Sequence, residues 1–255
     1  MGIILLGIAG GVLLGLTGGG GAIVAVPVLV YGVGLPIKTA TTMSLLVVGV
    51  SAVIGTLLRR QEVAWRNGVV FAVIGSISAP LGVKAAQIFS ESLLIGSFAL
   101  LMLLIAMITL RKSLQATPVL KSSLPSTGSV AVVKIIPIAM LTGFLTGLFG
   151  VGGGFIIVPA LVILSKMENK PAVATSLFII SLLSMFSLLN KIAVIEVDFK
   201  LAAIFLFGSI IGMLFGSFVA KKITNRLSQQ IFAGVAGILG VLMLINSITK
   251  LLVVV

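Results

Sequence analysis

The chain has no cysteine and no histidine, and only five of its residues are acidic. Without cysteine there is no disulfide, thiol nucleophile or thiolate ligand, and the sequence carries no sign of redox compartment. Without histidine the commonest metal ligand and the commonest general base are gone as well. The five acids, Glu62, Glu91, Glu168, Glu196 and Asp198, fall in loops or at the ends of apolar runs. No carboxylate is therefore expected at membrane depth to relay protons, and no metal cluster, nucleophilic dyad or acid–base pair can be assembled there. Intramembrane catalysis is excluded on these grounds, and no metal or other cofactor is expected. Tyr31 and Trp65, the single tyrosine and tryptophan, read as interfacial anchors.

What fills the chain instead is apolar. Hydrophobic residues make up 59% of it, against about 45–50% in soluble domains, and the mean hydropathy is +1.36. Six uncharged stretches are long enough to cross about 30 Å of hydrocarbon at about 1.5 Å per residue. They are Thr39–Leu58, Gly68–Val83, Ser92–Leu110, Pro171–Asn190, Leu201–Ala220 and Leu227–Thr249. The expected fold class is all-α, a polytopic transmembrane helical bundle. Met1 is followed directly by apolar residues with no basic region or cleavage signature, so the first segment is expected to stay in the membrane.

The net charge of +12 comes from 17 Lys and Arg spread over the loops between spans. No basic stripe marks a soluble domain, so no nucleic-acid partner is expected, and positive loops that orient the protein in the bilayer are the better reading.

Residues Gly11 to Val30, GVLLGLTGGGGAIVAVPVLV, align without a gap on Gly143 to Val162, GFLTGLFGVGGGFIIVPALV, at an offset of 132. Eleven of the twenty positions are identical, which marks an internal duplication. The correspondence continues: Lys38 meets Lys170, Ser44 meets Ser176, Arg59 meets Lys191, and after one inserted residue Gly75–Ile77 meets Gly208–Ile210. Residues 1–112 form the first transmembrane repeat and 135–255 the second. The polar linker 113–134, with Pro118, Pro125 and Gly128, lies between them.

The first runs, Gly2–Val33 and Ile135–Leu164, are too long for one ordinary span and are broken by glycine. If each is a hairpin that returns to the face it entered, every repeat crosses three times and the repeats are inverted. Then only Lys38, Lys84, Lys191, Lys200 and Lys250 lie on one face, leaving twelve of the 17 basic residues on the other. Full crossings would make the repeats parallel and the split ten against seven. The positive-inside rule favours hairpins, a cytoplasmic linker and both termini outside.

The glycines fall into two groups. Gly7, Gly11 and Gly15, like Gly208, Gly212 and Gly216, recur every four residues and read as packing ridges that let helices approach closely. The clusters Gly18, Gly19, Gly20, Gly21 and Gly150, Gly152, Gly153, Gly154 are adjacent, break the helical ladder and are each followed by a proline, Pro27 or Pro159. Backbone freed in this way must be buried in protein or line a polar cavity, and the half-helix beyond it would aim N–H groups and a positive dipole end at an anion. A packed hairpin turn is the plainer alternative. A phosphate-binding P-loop is rejected, because no Lys-Ser or Lys-Thr follows the glycines.

Hydroxyls early in the next spans form a second candidate group: Thr39, Thr41, Thr42 and Ser44, and Thr175 and Ser176. They would either complete an oxoanion's shell or bond to their own helices. Lys38 and Lys170, just before these spans, would attract an anion or snorkel to the interface. Arg59 and Lys191, at the far ends, carry the same two readings.

The two glycine segments, each followed by an alanine and a serine near the next span (Ala40, Ser44; Ala172 or Ala174, Ser176), resemble the sulfite exporter TauE/SafE family, of the toluene sulfonate uptake permease group. KPAVATSLFII at Lys170–Ile180 is similar to that family's more typical copy. The resemblance covers nearly the whole chain. It implies a small duplicated permease of the cell inner membrane for sulfite, thiosulfate, sulfoacetate or another organosulfonate, with the glycine turns and hydroxyl-bearing span starts as the substrate region. The first copy departs at Gly19 and Ala22, where the second has Val151 and Gly154, so unequal halves are expected. The partners so implied are the anion, the lipid bilayer and, as an open arrangement, a second copy in a homodimer. A permease for another small anion and a non-transporting membrane scaffold remain the alternatives.

Overall fold

The computed structural model describes residues 2–17, 22–114, 132–165, 167–192, 195, 197–220 and 222–253, and among these every regular element is helical. In chain order they are α1 (Gly2–Thr17), α2 (Ala22–Pro27, continued as a π-helical turn over Val28–Gly32), α3 (Ile37–Leu58), α4 (Trp65–Ile88) and α5 (Glu91–Leu114). Then follow α6 (Val132–Phe149), α7 (Gly154–Leu164), α8 (Asn169–Ile192), α9 (Phe199–Ala220) and α10 (Asn225–Val253). Helices α3, α4, α5, α8, α9 and α10 each contain a stretch long and apolar enough to cross a membrane.

Burial follows from that composition. Val69, Val73, Ile77 and Leu81 lie one turn apart along α4 and are all exposed, as are Phe207, Ile211, Phe215 and Phe218 on α9. Rows of exposed apolar side chains suit lipid, where water gives no penalty for leaving them outside. Small and branched residues turn inward instead, and Ala40, Ala52, Ala79, Ala139, Ala172 and Ala174 are fully buried.

The register of the contacts gives each helix its direction. Pairing Gly49 with Ser184 and Gly55 with Leu177 makes α3 and α8 antiparallel, and pairing Gly96 with Ser247 and Gly240 with Leu103 does the same for α5 and α10. Ser51 meets Ser209 and Gly55 meets Met213, so α9 runs with α3. Gly68 meets Phe178 and Gly75 meets Leu183, so α4 runs with α8. Helix α1 runs with α9, and α6 with α4, through the glycine ridges. Consequently α1 and α3 point the same way, as do α6 and α8. The short segments between them, Ala22–Gly32 and α7, are the return arms of hairpins. Eleven residues of helix span about 16 Å, half of a bilayer's hydrocarbon.

The ridges themselves act as packing surfaces. Gly7, Gly11 and Gly15 lie against the backbone of Phe205, Ser209 and Met213, while Gly208, Gly212 and Gly216 lie against Ile4, Ile8 and Val12. Gly143 and Gly147 meet Gly75 and Ala79 in the same manner between α6 and α4. At the latter contact the Ser78 hydroxyl reaches across to the Met140 carbonyl at 2.6 Å. Pro80, within α4, removes an N–H that would otherwise satisfy a carbonyl one turn earlier.

Candidate functional site

Helix α6 ends at Phe149, and the chain turns through Gly150, Gly152 and Gly153, whose φ angles are +69°, +69° and +68°. Left-handed backbone of this kind is natural only to glycine, which explains the cluster. The Gly153 carbonyl accepts from Ile156 (3.0 Å) and Ile157 (3.1 Å), and Gly154 opens α7. As at any helix start, the N–H groups of Gly154 and Phe155 have no acceptor within their own helix.

This turn sits deep in the bundle. A Cβ at Gly152 would touch Ile180 and lie 3.3 Å from both the Ser184 Oγ and Val48, which occupy the middle of α8 and α3. Gly150 packs on the backbone of Thr41, and Gly153 faces Thr142 and Thr146 of α6. The α3–α8 seam beside it carries fully buried hydroxyls: the Oγ atoms of Ser44, Ser184 and Ser187 have no hydrogen-bond partner among the described residues. An unsatisfied buried hydroxyl costs about 1–3 kcal/mol, so such a row is a place for water or a polar ligand.

The sequence-derived candidates separate on inspection. Thr42 donates to the Lys38 carbonyl at 2.9 Å and Ser176 to Val173 at 2.8 Å, each within its own helix. Thr175 accepts the Ala64 N–H at 2.9 Å and so ties the start of α8 to the approach of α4. Next to that tie Trp65 packs edge-on against Phe178, with centroids 5.0 Å apart. Lys38 is half-buried and bonds the Gln87 carbonyl at 3.2 Å, whereas Lys170 is exposed. The turn thus gathers Gly150, Gly152, Gly153 and Gly154, with Ser44 on the seam. Thr175 and Lys170 lie toward the opposite end of α8, and Gly18, Gly19, Gly20 and Gly21 lie outside the described residues.

Two residues were not picked out by sequence, and a third, Lys191, was read there only as attracting an anion or snorkelling. Ser184 and Ser187 carried a signal, since Ser181, Ser184 and Ser187 recur every three residues inside one span. Lys191 is the larger surprise. It is 1% exposed, and its Nζ donates to the Thr41 Oγ1 at 2.9 Å, joining the end of α8 to the start of α3. Its sequence equivalent Arg59 is only half-buried, at the cap of α3.

Comparison with known proteins bears on what such a bundle does. The chain is 32% identical over 227 residues to a "probable membrane transporter protein" of Xylella fastidiosa strain Temecula1, covering 87% of this chain and 86% of that one. It is 28% identical over 250 residues to the "probable membrane transporter protein YunE" of Bacillus subtilis, covering 88% and 89%. A "probable membrane transporter protein" of Methanocaldococcus jannaschii is 24% identical over 259 residues, covering 95% and 94%. No solved structure matches the chain. The family model described as "Sulfite exporter TauE/SafE" matches residues 3–243, both glycine segments included, and this multi-pass membrane protein therefore belongs to the TauE/SafE family of membrane transporters, not to an enzyme class.

Proposed function

We propose that the protein is a secondary permease for a small sulfur-containing anion, such as sulfite, thiosulfate, sulfoacetate or another organosulfonate, in a prokaryotic inner membrane. It works by alternating access between two inverted repeats, residues 1–112 and 135–255. The observation that carries this reading is the buried turn Gly150–Gly153, which opens α7 beside the unpartnered Ser184 hydroxyl. Backbone N–H groups and hydroxyls at the middle of a bundle match an oxoanion's acceptors without requiring a fixed charge there. The family description adds the sulfur class, and the antiparallel pairing of α3 with α8 and of α5 with α10 supports inversion.

Uptake of labelled sulfite, sulfate, thiosulfate and a sulfonate into proteoliposomes tests the substrate. Concentrative or exchange flux of one or more sulfur anions is the expected result. Flux restricted to anions without sulfur would replace the substrate class, and no flux of any anion would leave the scaffold reading in its place.

The hairpin arrangement also makes a topological prediction. Three crossings per repeat put the linker on the face opposite both termini, and the excess of basic residues makes that face cytoplasmic. In this cysteine-free chain, a single cysteine replacing Ser122 should label only from the cytoplasmic side, and one added at the C-terminus only from outside. Labelling of both from one side would rule the arrangement out.

A further inference from the structure

At the end of the bundle where α3 begins and α4 and α8 end, a small pocket is lined by Lys38, Thr41, Gln87, Lys191 and apolar neighbours. Two of its polar groups are lysine amines, and among the described residues that line it none is a carboxylate. Among the described residues no acid pairs with either lysine: Glu91 is exposed at the start of α5, and the Asp198 carboxylate caps α9 through the N–H groups of Lys200 and Leu201.

The hydrogen-bond inventory at Lys191 is incomplete. An ammonium has three donors, and one is used on Thr41. Thr41 cannot supply more, because its own hydroxyl proton goes to the Lys38 carbonyl at 2.9 Å. It acts as a positioning residue, an acceptor that aims Lys191 across the seam between repeats. Two N–H groups of a fully buried cation are left over. The last-turn carbonyls of α8 favour a positive charge there, yet they supply no counterion that neutralises it. Buried charges in proteins are ordinarily paired, and this one has no acidic partner among the described residues.

We infer that Lys191 and Lys38 form a second anion-binding site, distinct from the glycine turn, which takes a small oxoanion at the end of the bundle where α3 begins. It rests on the reading of the protein as an anion permease and adds a station on the path. Thr41 links the two places, since its hydroxyl holds Lys191 while its backbone packs on Gly150 at the start of the turn. An anion entering beside Lys191 therefore arrives one residue's width from the turn. The inferred site also breaks the repeat symmetry: the equivalents of Thr41 and Lys191 are Val173 and Arg59, and Val173 has no hydroxyl to hold a cation. The opposite end of the bundle is tied by Ala64 to Thr175 instead.

The test is calorimetric titration of purified protein with sodium sulfite, sulfate and thiosulfate, with chloride as a comparison, run beside flux in proteoliposomes. Lys191→Met should raise the oxoanion Kd at least about tenfold, as loss of a charged hydrogen bond does, while Lys191→Arg keeps it within a few-fold of the wild type. Lys38→Met should weaken binding in the same direction and serves as the readout if Lys191→Met does not purify. Unchanged affinity in the Met variants overturns the site, as does absence of oxoanion binding to the wild type. The transport reading is judged separately by wild-type flux: lysine-dependent binding without flux of any anion would sink that reading and leave the site standing.

Discussion

Gly150→Ala is expected to lose transport and to destabilise the protein by about 3 kcal/mol or more, the sum of two independent terms. A left-handed φ of +69° costs an L-residue about 1–2 kcal/mol relative to glycine. The added Cβ would also run into the carbonyl group of Thr41, which is main chain of α3 and cannot rotate away. Gly153→Ala makes a useful contrast, because the same backbone strain meets side-chain atoms of the buried Thr142 and Thr146 first, not main chain. That variant should insert and purify but bind anions weakly, since the turn that opens α7 is displaced. Thermal unfolding in detergent and flux of labelled sulfite provide the two measurements. If Gly150→Ala melts with the wild type, the turn is not held against α3 and the proposed site loses its floor.

That turn was legible in the sequence because adjacent glycines have few other uses inside apolar runs, and because they occur twice, 132 residues apart. The break in that run was legible for a related reason: Ile135–Leu164 is too long for one span, and the structure interrupts it at Gly150–Gly153, between α6 and α7. The ridge glycines were also read correctly as packing surfaces, since their four-residue spacing puts them on one face of a helix. What one-dimensional patterning cannot supply is which neighbour covers a side chain. Lys191 stands at the end of a span, where lysines ordinarily reach for headgroups. Only the antiparallel crossing of α3 brings Thr41 over it, through a contact 150 positions away. Thr41 and Thr42 illustrate the same limit. Both hydroxyls bond the Lys38 carbonyl, but only Thr41 meets Lys191. Thr175 went a third way, as an acceptor that fastens α4 to α8.

Gly143→Ala should be among the most damaging alanine substitutions in the chain, whereas Gly234→Ala should be neutral or stabilising. Both glycines lie in helices with no positive φ, so intrinsic propensity alone favours alanine at each by about 1 kcal/mol. Their surroundings decide the sign. Around Gly234 nothing lies within 4 Å of the new Cβ, and the propensity gain stands. At Gly143 the Cβ would overlap the Gly75 carbonyl and crowd the Ser78 Oγ, so α6 must move off α4. That separation breaks the hydrogen bond from Ser78 to Met140, and the hydroxyl keeps only the Gly75 carbonyl of its own helix as an acceptor. It also opens the contacts of Gly147 with Ala79 and of Gly82 with Phe144, because the ridge is continuous. Loss of about 3 kcal/mol or more is expected at Gly143, with overpacking and lost packing adding in the same direction. Since α6 carries Thr142 and Thr146 beneath Gly153, the shift should reach the glycine turn and lower flux of the transported substrate more than the stability loss alone accounts for. Thermal unfolding of the two variants in one detergent decides the matter. Equal melting temperatures would show that α4 and α6 are loosely apposed, and that the close glycine contacts are not what holds the second hairpin in the bundle.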